Sequence, residues 1–242
     1  MKTIAVIPAR YEATRFPGKL LEKLGERSVI LTTYQNVIET GLFDQVHVAT
    51  DSPLIYDEIV SNGGHAVLTG AHETGSDRIA EAVRDLDCDI VVNVQGDEPF
   101  LKTRPLEQLI AVFKNDPNKE ISLASLKIEL FEQKAIENPN HVKVITDRFG
   151  HALYFSRSVI PFPRERTPQL HYYKHVGVYA FRKEALLRFA SLEQSPLEIA
   201  EKIECLRYLE HGMKIKMVET DFVGVGIDVP EDLEKARRLL GS

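Results

Sequence analysis

The chain has 242 residues, 43% hydrophobic and 27% charged, with a formal net charge of -6. That describes an ordinary globular protein able to bury a full core, and it excludes a general nucleic-acid binder. The two cysteines, Cys88 and Cys205, form no Cys-x-x-Cys pair, which excludes a zinc site of that type and points to a reducing compartment. No apolar run approaches the length of a membrane span, and Met1-Lys2-Thr3 enters a strand without a leader's apolar core, so a cytoplasmic protein without a membrane partner is expected.

Ile4-Ala5-Val6-Ile7 is a short β-branched run ending at a proline, the pattern of a buried strand. The loop that follows, Pro8 to Lys19, spreads Arg10, Arg15 and Lys19 along its length, with Pro17-Gly18 fixing a turn. Three cations at the carboxyl end of a first strand suit a polyphosphate, because open α/β sheets bind ligands there. A Walker A loop is excluded, since its first glycine and its Ser/Thr would fall at Ala13 and Leu20. The dinucleotide fingerprint is absent too: Gly224-Val225-Gly226 lies far downstream and lacks the third glycine.

Helical spacing over Val29–Thr40 follows a Ser28 cap, and Gly41 ends that helix. Gln45–Thr50 reads as a strand, Pro53 opens a helix, and Ala66–Leu68 is a third strand. Ser76 or Asp77 caps the next helix, to about Leu86, and Asp89–Val94 is a buried strand. This alternation is that of a parallel sheet with crossover helices. Over residues 121–181 the pattern changes to strands at Ile121–Ile128, Val142–Thr146, Ala152–Phe155 and Val176–Phe181. Asp147 to Gly150 is a hairpin turn, and Pro161 to Pro168 an irregular loop. An antiparallel subregion inserted into one domain spanning 1–242 is therefore expected. A helix over Leu197–Gly212, a strand over Lys214–Val218 and a helix from Pro230 to Leu239 complete the chain.

Several stretches could carry chemistry. Asp97, in Gln95-Gly96-Asp97-Glu98-Pro99 after a buried strand, could hold Mg²⁺, which takes one or two carboxylates plus phosphate oxygens; the alternative is a turn opening a helix. Asp228 could join it or be a helix cap, and the pair could clamp metal ions only if the fold brings their loops together. Ser76 and Arg78 stand at a helix start, where anions are favoured. Tyr154-Phe155-Ser156-Arg157 and Lys174-His175-Val176-Gly177-Val178-Tyr179 are further candidates, although a histidine in an apolar strand is more often structural. Glu198, Glu201 and Glu204 repeat every three residues and read as a solvated acidic face. No nucleophile emerges, and the residues suit phosphoryl chemistry done by positioning and charge neutralisation.

The order and spacing of Pro8–Lys19, Gly75–Arg78, Val92–Pro99, Ala152–Arg157, His175–Tyr179, Ser195–Arg207 and Gly226–Leu233 resemble the 3-deoxy-manno-octulosonate cytidylyltransferases, almost end to end. The resemblance implies an α/β, Rossmann-like nucleotidyltransferase fold with a mostly parallel central sheet and an inserted antiparallel dimerisation region, working as a homodimer. It implies transfer of CMP from CTP to the anomeric hydroxyl of the acidic sugar Kdo, with release of pyrophosphate, for lipopolysaccharide assembly. On it, Ala9, Arg10, Arg15, Lys19, Ser76, Arg78 and Gln95 hold the nucleotide, and Gln95, Arg157, His175, Tyr179 and Glu204 receive the sugar. Asp97 and Asp228 hold Mg²⁺, and with Arg10 and Lys19 they form the catalytic set. Three positions depart from the family's usual pattern: Ala13 replaces a hydroxyl residue, Leu20 a proline, and Cys205 a glutamine expected near the sugar. The last leaves a Kdo analogue, such as an amino-substituted form, open as acceptor.

Overall fold

The computed structural model describes residues 1–12, 15–72, 74–165, 170–222, 224 and 226–240, in two compact units. The first joins Met1–Leu106 to Val223–Ser242 and the second is Glu107–Phe222. Ala13 and Thr14 of the basic loop, and residues 166–169 of the expected Pro161–Pro168 loop, lie outside the described residues.

In the first unit, β1 (Thr3–Ala9) is buried almost throughout because it has parallel neighbours on both sides, which explains its unbroken apolar sequence. A small hairpin, β2 (Lys23–Leu24) and β3 (Arg27–Ser28), leads into α1 (Val29–Glu39), capped by the Ser28 hydroxyl on the Leu31 amide at 3.3 Å. There follow β4 (Gln45–Thr50), α2 (Pro53–Ser61), β5 (Ala66–Leu68), α3 (Gly75–Val83) and β6 (Ile90–Asn93). The cap of α3 is Thr74 rather than Ser76 or Asp77: its Oγ1 accepts from the Asp77 amide at 3.1 Å and donates to the Asp77 carboxylate at 2.8 Å. The strand order β6-β1-β4-β5 is parallel throughout, as the alternating pattern required. The chain leaves β1 toward β4 and β5 and later returns to β6 on the other side. The topological switch point therefore lies beyond the carboxyl ends of β1 and β6, where the loops carrying Lys19 and Asp97 start.

The chain crosses to the second unit within α4 (Thr103–Lys114), the helix that the sequence offered only as the alternative reading after Pro99. The second unit comprises β7 (Ile121–Leu130), α5 (Gln133–Glu137), β8 (Lys143–Thr146), β9 (Ala152–Ser156), β10 (Tyr172–Arg182), α6 (Lys183–Ala190), α7 (Pro196–Glu201), α8 (Cys205–Glu210) and β11 (Lys214–Glu219). Its sheet runs β11-β7-β10-β8-β9, parallel only between β11 and β7. The Asp147–Gly150 turn closes the β8–β9 hairpin, with Gly150 at φ 76°. β10 starts four residues before the expected Val176, since Tyr172 to His175 also pair with β7. The single helix expected over Leu197–Gly212 is two, α7 and α8, because Lys202 adopts the left-handed region at φ 55° and interrupts the helical ladder. The chain returns to the first unit and ends in α9 (Pro230–Leu240). No helix among the described residues is long and apolar enough to cross a membrane.

Candidate active site

In the first unit three loops meet at the Lys19 side chain, which is only 11% exposed. Its ammonium donates to Asp97 Oδ2 at 2.5 Å, to the Ile227 carbonyl at 2.7 Å and to Asp228 Oδ1 at 3.2 Å. An ammonium carries three N–H donors, so all three are used. The Ile227 amide donates to the Asp97 carbonyl at 2.9 Å, joining the loop after β6 to the segment before α9. Asp228 also meets Arg15 at 3.1 Å. The condition for Asp97 and Asp228 to act together is thus met, since both carboxylates lie within hydrogen-bonding distance of one nitrogen.

Local geometry makes this convergence. Gly18, at φ 72°, turns the basic loop back so that its amide donates to the Tyr11 carbonyl at 2.9 Å. Gly96 lets the loop after β6 pass against β1: a Cβ there would sit 3.0 Å from Ile30 Cδ1 and 3.3 Å from the Pro8 carbonyl oxygen. The Gly96 carbonyl in turn accepts from the Thr33 hydroxyl of α1 at 3.0 Å.

The remaining first-unit candidates divide. Ala9 is buried at the end of β1 and offers only backbone, whereas Arg10 is exposed. Ser76 is buried in the first turn of α3. Arg78 is 3% exposed and its guanidinium is committed, donating to Thr69 Oγ1 and to Asp51 Oδ2, each at 2.7 Å. It ties α3 to the carboxyl ends of β4 and β5. Gln95 is half-buried, with its amide 3.5 Å from Asn93 Oδ1.

In the second unit, Arg157 follows β9 and is held from every side. Its Nε donates to the Glu201 carbonyl at 2.7 Å, one terminal nitrogen to the Pro139 carbonyl at 3.1 Å and the other to the Lys202 carbonyl at 3.3 Å. His175 and Tyr179 lie on β10, with ring centroids 5.4 Å apart, and flank a β-bulge between Val176 and Tyr179. Ser125 spans that bulge, donating to the Val176 and Val178 carbonyls at 3.1 and 3.0 Å. With its proton so used, Ser125 Oγ accepts from His175 Nε2 at 2.9 Å, which fixes the neutral Nε2–H tautomer. Burial, and then the neighbouring Lys174 charge, lower the His175 pKa to about 4. Burial likewise pushes the Tyr179 phenol up, and the Cys205 thiol with it, the two being hydrogen-bonded to each other. A thiol raised in this way is a weak nucleophile at neutral pH. Glu204 stands half-buried at the start of α8.

Two glutamates read as a solvated face are held by partners. Glu198 is 3% exposed and receives Arg207 bidentately, at 2.7 and 2.6 Å, while Glu201 binds Ser156 and Arg157. The three-residue spacing was visible in the sequence; the fold sets Glu198 against Arg207 and Glu201 against Ser156 and Arg157.

A parallel α/β unit with a lysine–dicarboxylate cluster at its switch point has the form of a phosphoryl-transfer fold, and the comparisons with known proteins place it more finely. The family model described as Cytidylyltransferase matches residues 4–215. The 3-deoxy-manno-octulosonate cytidylyltransferase of Flavobacterium johnsoniae is 62% identical over 99% of both chains, and that of Christiangramia forsetii 56% identical over 99% of this chain and 97% of its own. A solved CMP:2-keto-3-deoxy-manno-octonic acid synthetase, complexed with CTP, is 37% identical and superimposes with a TM-score of 0.92, covering 100% of this chain and 99% of that one. A 4-diphosphocytidyl-2C-methyl-D-erythritol synthase from Anaerococcus prevotii, 16% identical, shares the fold with a TM-score of 0.65 over 100% of this chain and 99% of its own. The chain belongs to the 3-deoxy-manno-octulosonate cytidylyltransferase family.

Proposed function

We propose that the chain transfers CMP from CTP to the anomeric hydroxyl of Kdo, giving CMP-Kdo and pyrophosphate for lipopolysaccharide assembly. Family membership over the full length supports the reaction, and the observation that carries the assignment of residues is the meeting of Lys19, Asp97 and Asp228 at the switch point. Arg10, Arg15 and Lys19 hold the triphosphate and offset charge that builds on the departing pyrophosphate. Ser76, Arg78 and Gln95 build the nucleotide side, Arg78 also holding the ends of β4 and β5. Gln95, Arg157, His175, Tyr179 and Glu204 receive the sugar, with Arg157 directed at its carboxylate. The acceptor hydroxyl attacks the α-phosphorus directly, without a covalent enzyme intermediate.

Mg²⁺ fits the donor set. Asp97 and Asp228 are partly exposed carboxylates that already share one cation, the Lys19 ammonium, and an all-oxygen pair is what a hard divalent ion takes. When bound, the ion supplies charge neutralisation at the phosphates and activation of the attacking hydroxyl. Homodimerisation belongs to the same proposal: Phe131, Phe149 and Leu153 of the second unit are 82%, 75% and 59% exposed, apolar side chains that a second copy would cover. A cytoplasmic setting accords with a CTP-dependent reaction and with Cys88 and Cys205 standing as thiols rather than as a disulfide.

The reaction is tested by ³¹P NMR of the protein with CTP, Kdo and Mg²⁺, with and without EDTA. A new phosphodiester resonance, together with free pyrophosphate and abolished by EDTA, is expected. Free CMP and pyrophosphate without a sugar ester would contradict the transfer. Light scattering should return twice the 27.4 kDa chain mass, and a monomer at micromolar concentration would refute the dimer.

A further inference from the structure

Arg157 and Glu201 hold one another reciprocally. The Glu201 carboxylate accepts from the Arg157 amide at 2.9 Å and from the Ser156 hydroxyl at 2.6 Å, while the Arg157 Nε donates to the Glu201 carbonyl at 2.7 Å. The same backbone position is fixed from its other side, because Lys143 Nζ donates to the Arg157 carbonyl at 2.6 Å and to the Asn138 carbonyl at 3.0 Å. Lys143 is fully buried, so a long side chain is spent on two carbonyls. The left-handed Lys202 ends α7 at this point, and the Glu201 and Lys202 carbonyls go to the guanidinium instead of continuing a helix.

A guanidinium has five N–H groups. Three are used here, on the carbonyls of Glu201, Pro139 and Lys202. The two that remain belong one to each terminal nitrogen, so each nitrogen keeps a donor for a carboxylate oxygen. The guanidinium is therefore held in place with two donors remaining before any ligand arrives, and such preorganisation lowers the cost of binding.

We propose that Glu201 is a positioning residue that holds Arg157 as a preset two-pronged donor for the carboxylate of the acceptor sugar, with Lys143 anchoring the same backbone. The proposal rests on the reading that Arg157 receives that carboxylate. Glu201 itself touches no substrate; its effect runs through the Arg157 amide and the end of α7. Glutamine at 201 keeps an acceptor for the Arg157 amide and an amide group that Ser156 Oγ can accept from, so it preserves the geometry. Alanine removes both bonds, and aspartate withdraws the carboxylate by one methylene while keeping its charge.

The experiment measures KM for CTP, KM for Kdo, and the ratio of kcat/KM for Kdo to that for its C1 carboxamide. The set is the full-length wild type and the variants Glu201→Ala, Glu201→Asp, Glu201→Gln and Arg157→Ala. Glu201→Ala and Glu201→Asp should raise KM for Kdo about tenfold to a hundredfold, the loss of one or two charge-assisted bonds, and shrink the carboxylate-to-amide ratio. KM for CTP should stay unchanged, and Glu201→Gln should restore both properties. A purely structural role would instead raise both KM values together and leave the ratio alone, which would overturn the proposal; Glu201→Asp decides the matter should Glu201→Ala fail to fold. Arg157→Ala separates the two levels. If it abolishes the ratio while the Glu201 variants keep it, the positioning proposal fails alone. If it leaves the ratio at the wild-type value, the reading of Arg157 fails and the proposal with it.

Discussion

Replacing Arg207 with methionine should destabilise the second unit by about 3–5 kcal/mol, the cost of breaking a buried ion pair from one side. Both side chains of the Arg207–Glu198 pair are only 4% exposed. Arg207 donates to the two Glu198 oxygens at 2.7 and 2.6 Å and to the Leu192 carbonyl at 3.2 Å, and it lies 4.1 Å over the Phe189 ring. Methionine refills most of the volume and keeps a contact with the ring, so little of the loss comes from a cavity. The dominant cost is the Glu198 carboxylate, left buried without its partner. That carboxyl then gains a folded-state pKa above its unfolded value, so the deficit must shrink as pH falls from 7 toward 5. In a chain of this size the loss corresponds to about 6–20 °C in Tm. Urea titration followed by circular dichroism gives the magnitude, and hydrogen exchange on α7 and α8 peptides places it in the second unit. The double variant Glu198→Leu, Arg207→Met should recover more than half, because no charge is left to bury. A loss below about 1 kcal/mol, or a deficit that grows on acidification, would refute the reasoning.

Three other outcomes follow from the same geometry. Asp97→Asn should abolish turnover while leaving the melting curve within about 2 °C of wild type, since a surface-accessible carboxylate carries little folding energy; near-normal activity would remove Asp97 from the mechanism. Lys19→Met takes away the cation that Asp97 and Asp228 share, so Mn²⁺ titrated by electron paramagnetic resonance without nucleotide should bind about tenfold or more tightly, while kcat falls; unchanged Mn²⁺ affinity would show that Lys19 and the ion do not compete. His175 has a folded pKa of about 4, below its unfolded value, so its contribution is complete above about pH 6.5 and is lost as pH falls through the folded value. Stability should fall by about 1.4 kcal/mol per pH unit across that window, and His175→Gln should flatten the slope; an unchanged slope would assign it to other groups.

How much of this was legible in the sequence differs between the two units, for a physical reason. The first unit is built from local signals: β1 is apolar because both faces are covered, Ser28 caps α1, and Pro53 opens α2, so element order gave the parallel sheet and the switch point. The basic loop and Asp97 were visible because they follow strands. Their meeting with Asp228 was not, since it joins residues 209 positions apart in the case of Lys19 and Asp228. The second unit depends on such distant partners throughout. The break between α7 and α8 falls at Lys202, an ordinary helix former held left-handed by its context. Glu198 and Glu201 have the spacing of an exposed face, and only Arg207, Ser156 and Arg157 reveal that they are held inside. Arg78, read as a ligand-facing cation, also bonds Asp51 and Thr69, a use that needs the ends of β4 and β5 to be placed first.

The measurement that tests the central claim most directly is pyrophosphate release with Mg²⁺ across a matrix of CTP, UTP and ATP against Kdo, amino-substituted Kdo, sialic acid and no acceptor. Release that requires CTP and Kdo together is the predicted result, and it would mark Cys205 as a tolerated replacement beside Tyr179. Release with CTP only when the amino-substituted sugar is present would contradict the assigned acceptor and make Cys205 a specificity position. Silence in every combination would contradict the transfer itself.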